Sequence, residues 1–241
     1  MYAVFKRELF SFLSSMVAYI TIGIFLLVSS LLLWFFPDTS LLEYGYAELS
    51  GFFSLVPYLF MFLIPAITMR SFAEERREGT YELLVTKPIT LWQIIAAKYL
   101  ASLVLVLFAL MPTLVYWYSI SKLGFPEGNV DSGAVIGSYL GLFLLGSAFT
   151  SIGIFASALT KNQVIAFVVS AGLCAFAFLG FDFTSQLIAL QKIETLVVAF
   201  GINEHYISIS RGVLDTRDLL YFITFSAVFL WCTRLIMGGK K

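Results

Sequence analysis

The sequence predicts an all-α integral membrane protein in one domain, residues 1–241. It would have six transmembrane helices, an interfacial helix ahead of the first (1–15), a short cytoplasmic helix between the second and third (within 71–90), and short outer helices between the fifth and sixth (182–218). Three observations carry this. The chain is 60% hydrophobic with 25 Phe, and its mean hydropathy is +0.92, more apolar surface than one water-soluble core can hide. The apolar residues fall into six charge-free runs. Only 12% of residues are charged, yet seven of them stand within the seventeen residues 74–90, EERREGTYELLVTKPIT.

Taken in order, the interfacial helix is read from Phe5, Leu9, Phe12 and Met16, which recur on one helical face with Lys6, Arg7, Ser11 and Ser14 elsewhere. The spans follow at 16–36, 52–69, 99–121, 134–160, 163–181 and 219–233, most of them close to the roughly 20 residues that cross a hydrocarbon core. The last is short, but Arg234 can snorkel and let the helix continue to Met237. The first run is too long for a signal-peptide core and no A-x-A site follows it, so it is read as a retained span. Lys98, Arg70, Lys161 and Arg234 all fall near one set of span ends, where long side chains reach water.

Orientation follows from the basic residues. With the N-terminus inside, eleven Lys and Arg lie on the cytoplasmic side and four (Lys122, Lys192, Arg211 and Arg217) lie outside, accounting for all 15 and favouring N-in, C-in. The first outer loop carries Asp38, Glu43 and Glu48 and no basic residue. The charged segment is therefore cytoplasmic. Within it Gly79 can end the helix that continues from the second span, Thr80 can cap a new one with Glu82 in its first turn, and Pro88 stops it. Thr90 and Gln93 form a capping box for the third span. The expected result is a two-turn knob presenting Tyr81, Leu83, Leu84 and Val85 to a cytoplasmic partner; the alternative is a solvated loop that holds two spans in register.

Small residues mark the fourth span: Gly133, Gly137, Gly141, Gly146 and Gly153 make a face for close helix approach, within the bundle or between two copies. Pro57 and Pro65 in the second span and Pro112 in the third permit kinks. In the outer segment Leu187, Leu190, Ile193, Val197 and Phe200 trace an apolar stripe closed by Gly201, Asn203 can cap a second short helix ending near Gly212, and Asp215 can cap the last span. These outer helices either dip back into the outer leaflet or rest on lipid.

Several function classes are excluded. There is no G-x-x-x-x-G-K-[ST] loop to cradle phosphates, so any ATP hydrolysis belongs to another chain. No ionisable group sits mid-span to bind a coupling ion. The single histidine, His205, has no H-E-x-x-H partner, and the serines inside spans suit helix packing rather than catalysis. Cys174 and Cys232 lie in apolar runs with no disulfide or zinc spacing. Zero net charge and the absence of a recognition module argue against nucleic acid.

The run Glu75, Gly79, Thr80, Glu82, Leu83, Leu84 and Pro88 resembles the coupling region of type 2 ABC exporter permeases, E-x-x-x-G-T-x-E-L-L with a following proline. The resemblance extends over the chain, including FLIPAITMRSF (62–72) and ISRGVLDTRDLLYF (209–222), and is strongest to the gliding-motility-associated permeases of Bacteroidota. It implies a multi-pass protein of the inner membrane that binds no cofactor itself, with ATP and Mg on a cytoplasmic ABC ATPase that docks at the coupling residues. It further implies a second permease copy or a related permease, a companion membrane protein with a large extracytoplasmic part, and a path lined by the second and fifth spans, beside which Pro57 and Pro65 would act as hinges. A membrane scaffold or channel component without transport of its own remains the alternative.

Overall fold

The computed structural model describes residues 1–36, 48–86, 88–124, 130–185, 199–212 and 215–239, and every regular element among them is helical. The chain runs through α1 (Tyr2–Leu13), α2 (Met16–Trp34), α3 (Ser50–Thr68), α4 (Arg70–Glu78), α5 (Thr80–Val85), α6 (Leu91–Leu110), α7 (Leu114–Leu123), α8 (Ser132–Leu159), α9 (Gln163–Ala175), α10 (Phe181–Ser185), α11 (Ile202–Ser210) and α12 (Thr216–Gly238). Six stretches are long and apolar enough to cross a membrane: Met16–Trp34, Ser50–Glu78, Leu91–Leu123, Ser132–Leu159, Gln163–Thr184 and Thr216–Gly238. Lys87, the side chains of Leu83 and Val85, residues 37–47 of the expected acidic loop and the outer stripe from Leu187 to Val197 lie outside the described residues.

The fourth span, α8, is the axis of the bundle. About it pack α3, α6, α9, α11 and α12, and 72% of its most apolar window is buried against 17% for the sixth span. Helices can crowd around α8 because its glycines offer no side chain where neighbours are closest. A Cβ added at Gly153 would stand 2.0 Å from Thr68 Oγ1 of α3, and one at Gly146 would stand 2.9 Å from Val106 of α6. Gly137 and Gly141 meet Gly212 and Ile209 at 3.0 and 3.1 Å on the same measure, so they seat α11.

Three spans are interrupted, each for a legible reason. The second breaks at Met69, between α3 and α4, although both Pro57 and Pro65 lie inside α3, buried, without ending it. The third passes through a 3-10 turn, Met111–Thr113, that contains Pro112; proline cannot donate the next helical bond. The fifth widens into a π turn, Phe176–Gly180. Its Gly180 leaves room for the Phe176 ring, which a Cβ there would approach to 2.6 Å.

Several expectations need correction. The face of α1 turned to the bundle is Val4, Glu8 and Phe12, so of the apolar stripe Phe12 is buried, Phe5 and Leu9 are half-buried and Met16 is 77% exposed. The third span begins at Leu91, so Lys98 sits inside it, only 1% exposed, rather than snorkelling. The cause is that Glu8 of α1 pairs with Lys98 at 3.1 Å, as described below. The sixth span does continue past Arg234, to Gly238, and Asp215 caps it by accepting from Arg217 N. Asn203 does not cap α11, whose preceding residue is Gly201; its amide instead donates to Asp182 Oδ2 at 2.7 Å. His205 ties α11 to the head of α12 through Asp218 Oδ1 at 2.7 Å and stacks on Tyr221.

Candidate functional site at the α4–α5 turn

Where the second span leaves the bundle, its backbone is held by a single hydroxyl. The break at Met69 frees the N–H groups of Phe72 and Ala73, and Ser157 Oγ of α8 accepts both, at 3.0 and 3.1 Å, while donating to Met69 O at 2.9 Å. A buried hydroxyl has one donor and two lone pairs, so all are used. One turn on, Arg76 Nη1 donates to Ala158 O at 2.6 Å, covering a carbonyl that the end of α8 leaves over. Helix α4 is thereby fixed to the end of the fourth span.

Gly79 then turns the chain. Its φ of +71° is left-handed, which glycine adopts without a Cβ penalty. Helix α5 begins at once with Thr80, so Gly79 is the cap residue; the Thr80 hydroxyl reaches back to Glu75 O at 3.4 Å. Thr80 is not the cap the sequence suggested, because the left-handed turn already redirects the backbone one residue earlier. Glu82 does lie in the first turn, and Thr90 with Gln93 forms the full capping box that opens α6.

The knob is oriented differently from expectation. Leu84 is 4% exposed and packs with Phe72, Ile94, Ile95, Ile154 and Met237 in a second hydrophobic cluster, so α5 is clamped to the second, third, fourth and sixth spans. Tyr81 meets the Phe72 ring edge-on at 6.4 Å, and burial, then Glu75, raise its phenol pKa against the opposing effect of Arg76. What α5 and its flanks turn outward is Gly79, Thr80, Glu82 and Pro88. Apolar burial explains the choice: a two-turn helix cannot hold itself together, and covering one leucine is what anchors it. Leu84→Ala is therefore expected to cost about 2–4 kcal/mol, read as faster amide exchange across 79–86 with the six spans still protected.

Beneath the turn lies a charge cluster that hydropathy does not reveal. Lys98 Nζ stands 3.1 Å from Glu8 Oε2, 3.1 Å from Glu75 Oε1 and 2.6 Å from Ser71 O, with the Phe72 ring 5.0 Å below it. Arg7 closes the group, 2.7 Å from both Glu8 Oε1 and Glu75 Oε1. Burial works to lower the Arg7 pKa, but the two carboxylates outweigh it and raise the value. Two cations and two anions thus join α1, α4 and α6. Arg70 adds a tie to Ser15 Oγ at 2.5 Å and to Glu74 at 3.1 Å. Of the sequence-predicted residues, Glu75 is in this group; Glu8, Arg7, Lys98 and Ser157 were missed. The one available signal was a lone Glu8 between Val4 and Phe12 on a helical face.

Six apolar helices around a glycine-lined axis, with a braced charged turn at one end, define a multi-pass membrane protein. The chain belongs to the ABC-2 family: the family model described as ABC-2 family transporter protein matches residues 38–240. That family is a membrane transport component, generally non-catalytic, and its permeases generally work with a cytoplasmic ATPase and often dimerise. No curated protein matches the chain.

Proposed function

We propose that this chain is the permease subunit of an ATP-driven exporter of the cell surface, associated with gliding motility, and that a cytoplasmic ABC ATPase docks on the outward face of α5. The observation that carries the proposal is the bracing of that helix. Its inward face is locked to four spans through Leu84, while Thr80, Glu82 and Pro88 stand free of the bundle. A push on such an element moves α4 and α6 as levers instead of bending a loop. The ATP and Mg sit on the partner. The chain resides in the inner membrane with both termini cytoplasmic, as the distribution of Lys and Arg favours. It works as two copies, beside a companion membrane protein with a large extracytoplasmic part. The exposed face of α3, which carries Tyr58 and Phe62, supports pairing at the second span; Pro57 and Pro65 point into the chain's own bundle and act as hinges behind that face.

Glu82→Arg tests the docking reading, because it reverses an outward charge and disturbs no described internal contact. Recovery of the ATPase with the affinity-purified permease should fall about ten-fold, the equivalent of about 1.4 kcal/mol, with the permease itself eluting unchanged. Equal recovery and equal ATP-dependent cargo movement would remove α5 as the docking element.

A further inference from the structure

The end of the sixth span holds an arginine that the fold and the docking reading leave without a task. Arg234 projects from the exposed side of α12, its guanidinium carbon 5.2 Å from the ring centre of Trp92 and 5.6 Å from that of Trp231. The two indoles lie 5.8 Å apart and tilted by 58°, one at the start of the third span and one near the end of the sixth. Among the described residues no carboxylate or carbonyl accepts from Arg234. A cation–π contact of this kind uses none of the five N–H donors of a guanidinium, which stay available to an acceptor. A fixed fork of donors is the arrangement that binds phosphate in bidentate fashion.

Its surroundings say where such a phosphate would come from. Paired tryptophans at the end of a span mark the depth of the lipid headgroups. Toward the membrane interior on the same helix Leu220, Ile223 and Val228 are each more than half exposed, apolar surface that leads away from the cation into the hydrocarbon. A ligand that follows both features has acyl chains and an anionic head. We infer that Trp92, Trp231 and Arg234 form a site for an anionic phospholipid, its phosphate held by the guanidinium and its chains lying along α12. The site ties the entry of the third span to the exit of the sixth at the same end of the bundle as α5, and it is independent of whether α5 docks an ATPase.

Native mass spectrometry of the full chain in detergent, titrated with phosphatidylglycerol, phosphatidylcholine or inorganic phosphate, tests this. Phosphatidylglycerol should be retained in preference to phosphatidylcholine. In Arg234→Gln its affinity should fall about five-fold, as expected for one cation at a membrane surface, while Lys161→Gln, a charge removed nearby, changes nothing. Arg234→Lys, which keeps charge but loses the fork and the stacking, should fall in between. Equal retention of the two lipids, an unchanged affinity in Arg234→Gln, or displacement of the lipid by inorganic phosphate would overturn the assignment. A photoreactive phosphatidylglycerol on the unmodified protein gives a reading that needs no variant. Label on the peptides holding Trp92 or Trp231 supports the site; label elsewhere, or cross-linking of Val228 to a second copy, defeats it.

Discussion

Lys98→Ala is expected to destabilise the protein by about 3–5 kcal/mol, the range for removing one member of a buried ion pair, and to lower its unfolding midpoint in detergent by about 10 °C. The size follows from what remains. Glu8 and Glu75 approach the same ammonium at 3.1 Å from α1 and α4, and without it two carboxylates whose side chains are only 10% and 15% exposed face each other. Arg7 offsets part of this, but its side chain is 51% exposed, so water and salt screen its contribution. Ser71 O also loses its donor. Exchange should rise first in residues 2–13, because the cluster is what holds the first helix to the bundle. The triple variant Lys98→Met, Glu8→Gln and Glu75→Gln should recover most of the loss, since the one charge it leaves, Arg7, is 51% exposed to solvent and no like charges face each other. If Lys98→Ala alone left the midpoint unchanged, the cluster would be ornament on a fold held by packing only.

The contrast between that cluster and the spans shows what the sequence can and cannot display. Each span announces itself because transfer into hydrocarbon is a sum over consecutive residues; Gly79, Thr90 with Gln93, and Asp215 were legible because capping is settled within a turn. Lys98 was not, since its partners lie on two other helices, and a charge inside an apolar run reads by default as one reaching for water. Leu84 failed for a related reason. A two-turn helix shows that it has an apolar side, not which neighbour covers it, and here Phe72, Ile94, Ile154 and Met237 come from four different spans. Ser157 was anonymous among the serines of the fourth span. Its role exists only because the backbone breaks opposite it, at Met69.

Gly153→Ala should be the most damaging single methyl in the chain, at about 3 kcal/mol, the upper end of what overpacking typically costs. The added Cβ falls 2.0 Å from Thr68 Oγ1 and 2.7 Å from Thr68 Cβ. Rotating the threonine carries away the oxygen, which is bonded to Ile64 O at 2.8 Å, but it cannot move the Cβ. The helices must therefore part by roughly 1 Å to regain carbon–carbon contact distance. That parting occurs one turn from Ser157, whose bonds to Met69, Phe72 and Ala73 have no slack, so exchange should increase in α4 and α5 as well as at the contact itself. A graded rescue identifies the cause. Thr68→Ala keeps the Cβ clash and should restore little, whereas Thr68→Gly removes it and should restore all but the roughly 1 kcal/mol that glycine costs a helix. Gly172→Ala is the matched control, since a Cβ there meets nothing within 4 Å, and it should be neutral or stabilising by up to about 1 kcal/mol. Equal losses at Gly153 and Gly172 would mean that helix flexibility, not the close approach of the second and fourth spans, is what these glycines provide. The route by which α8 positions the charged turn would then have to run through the bonds of Ser157 and Arg76.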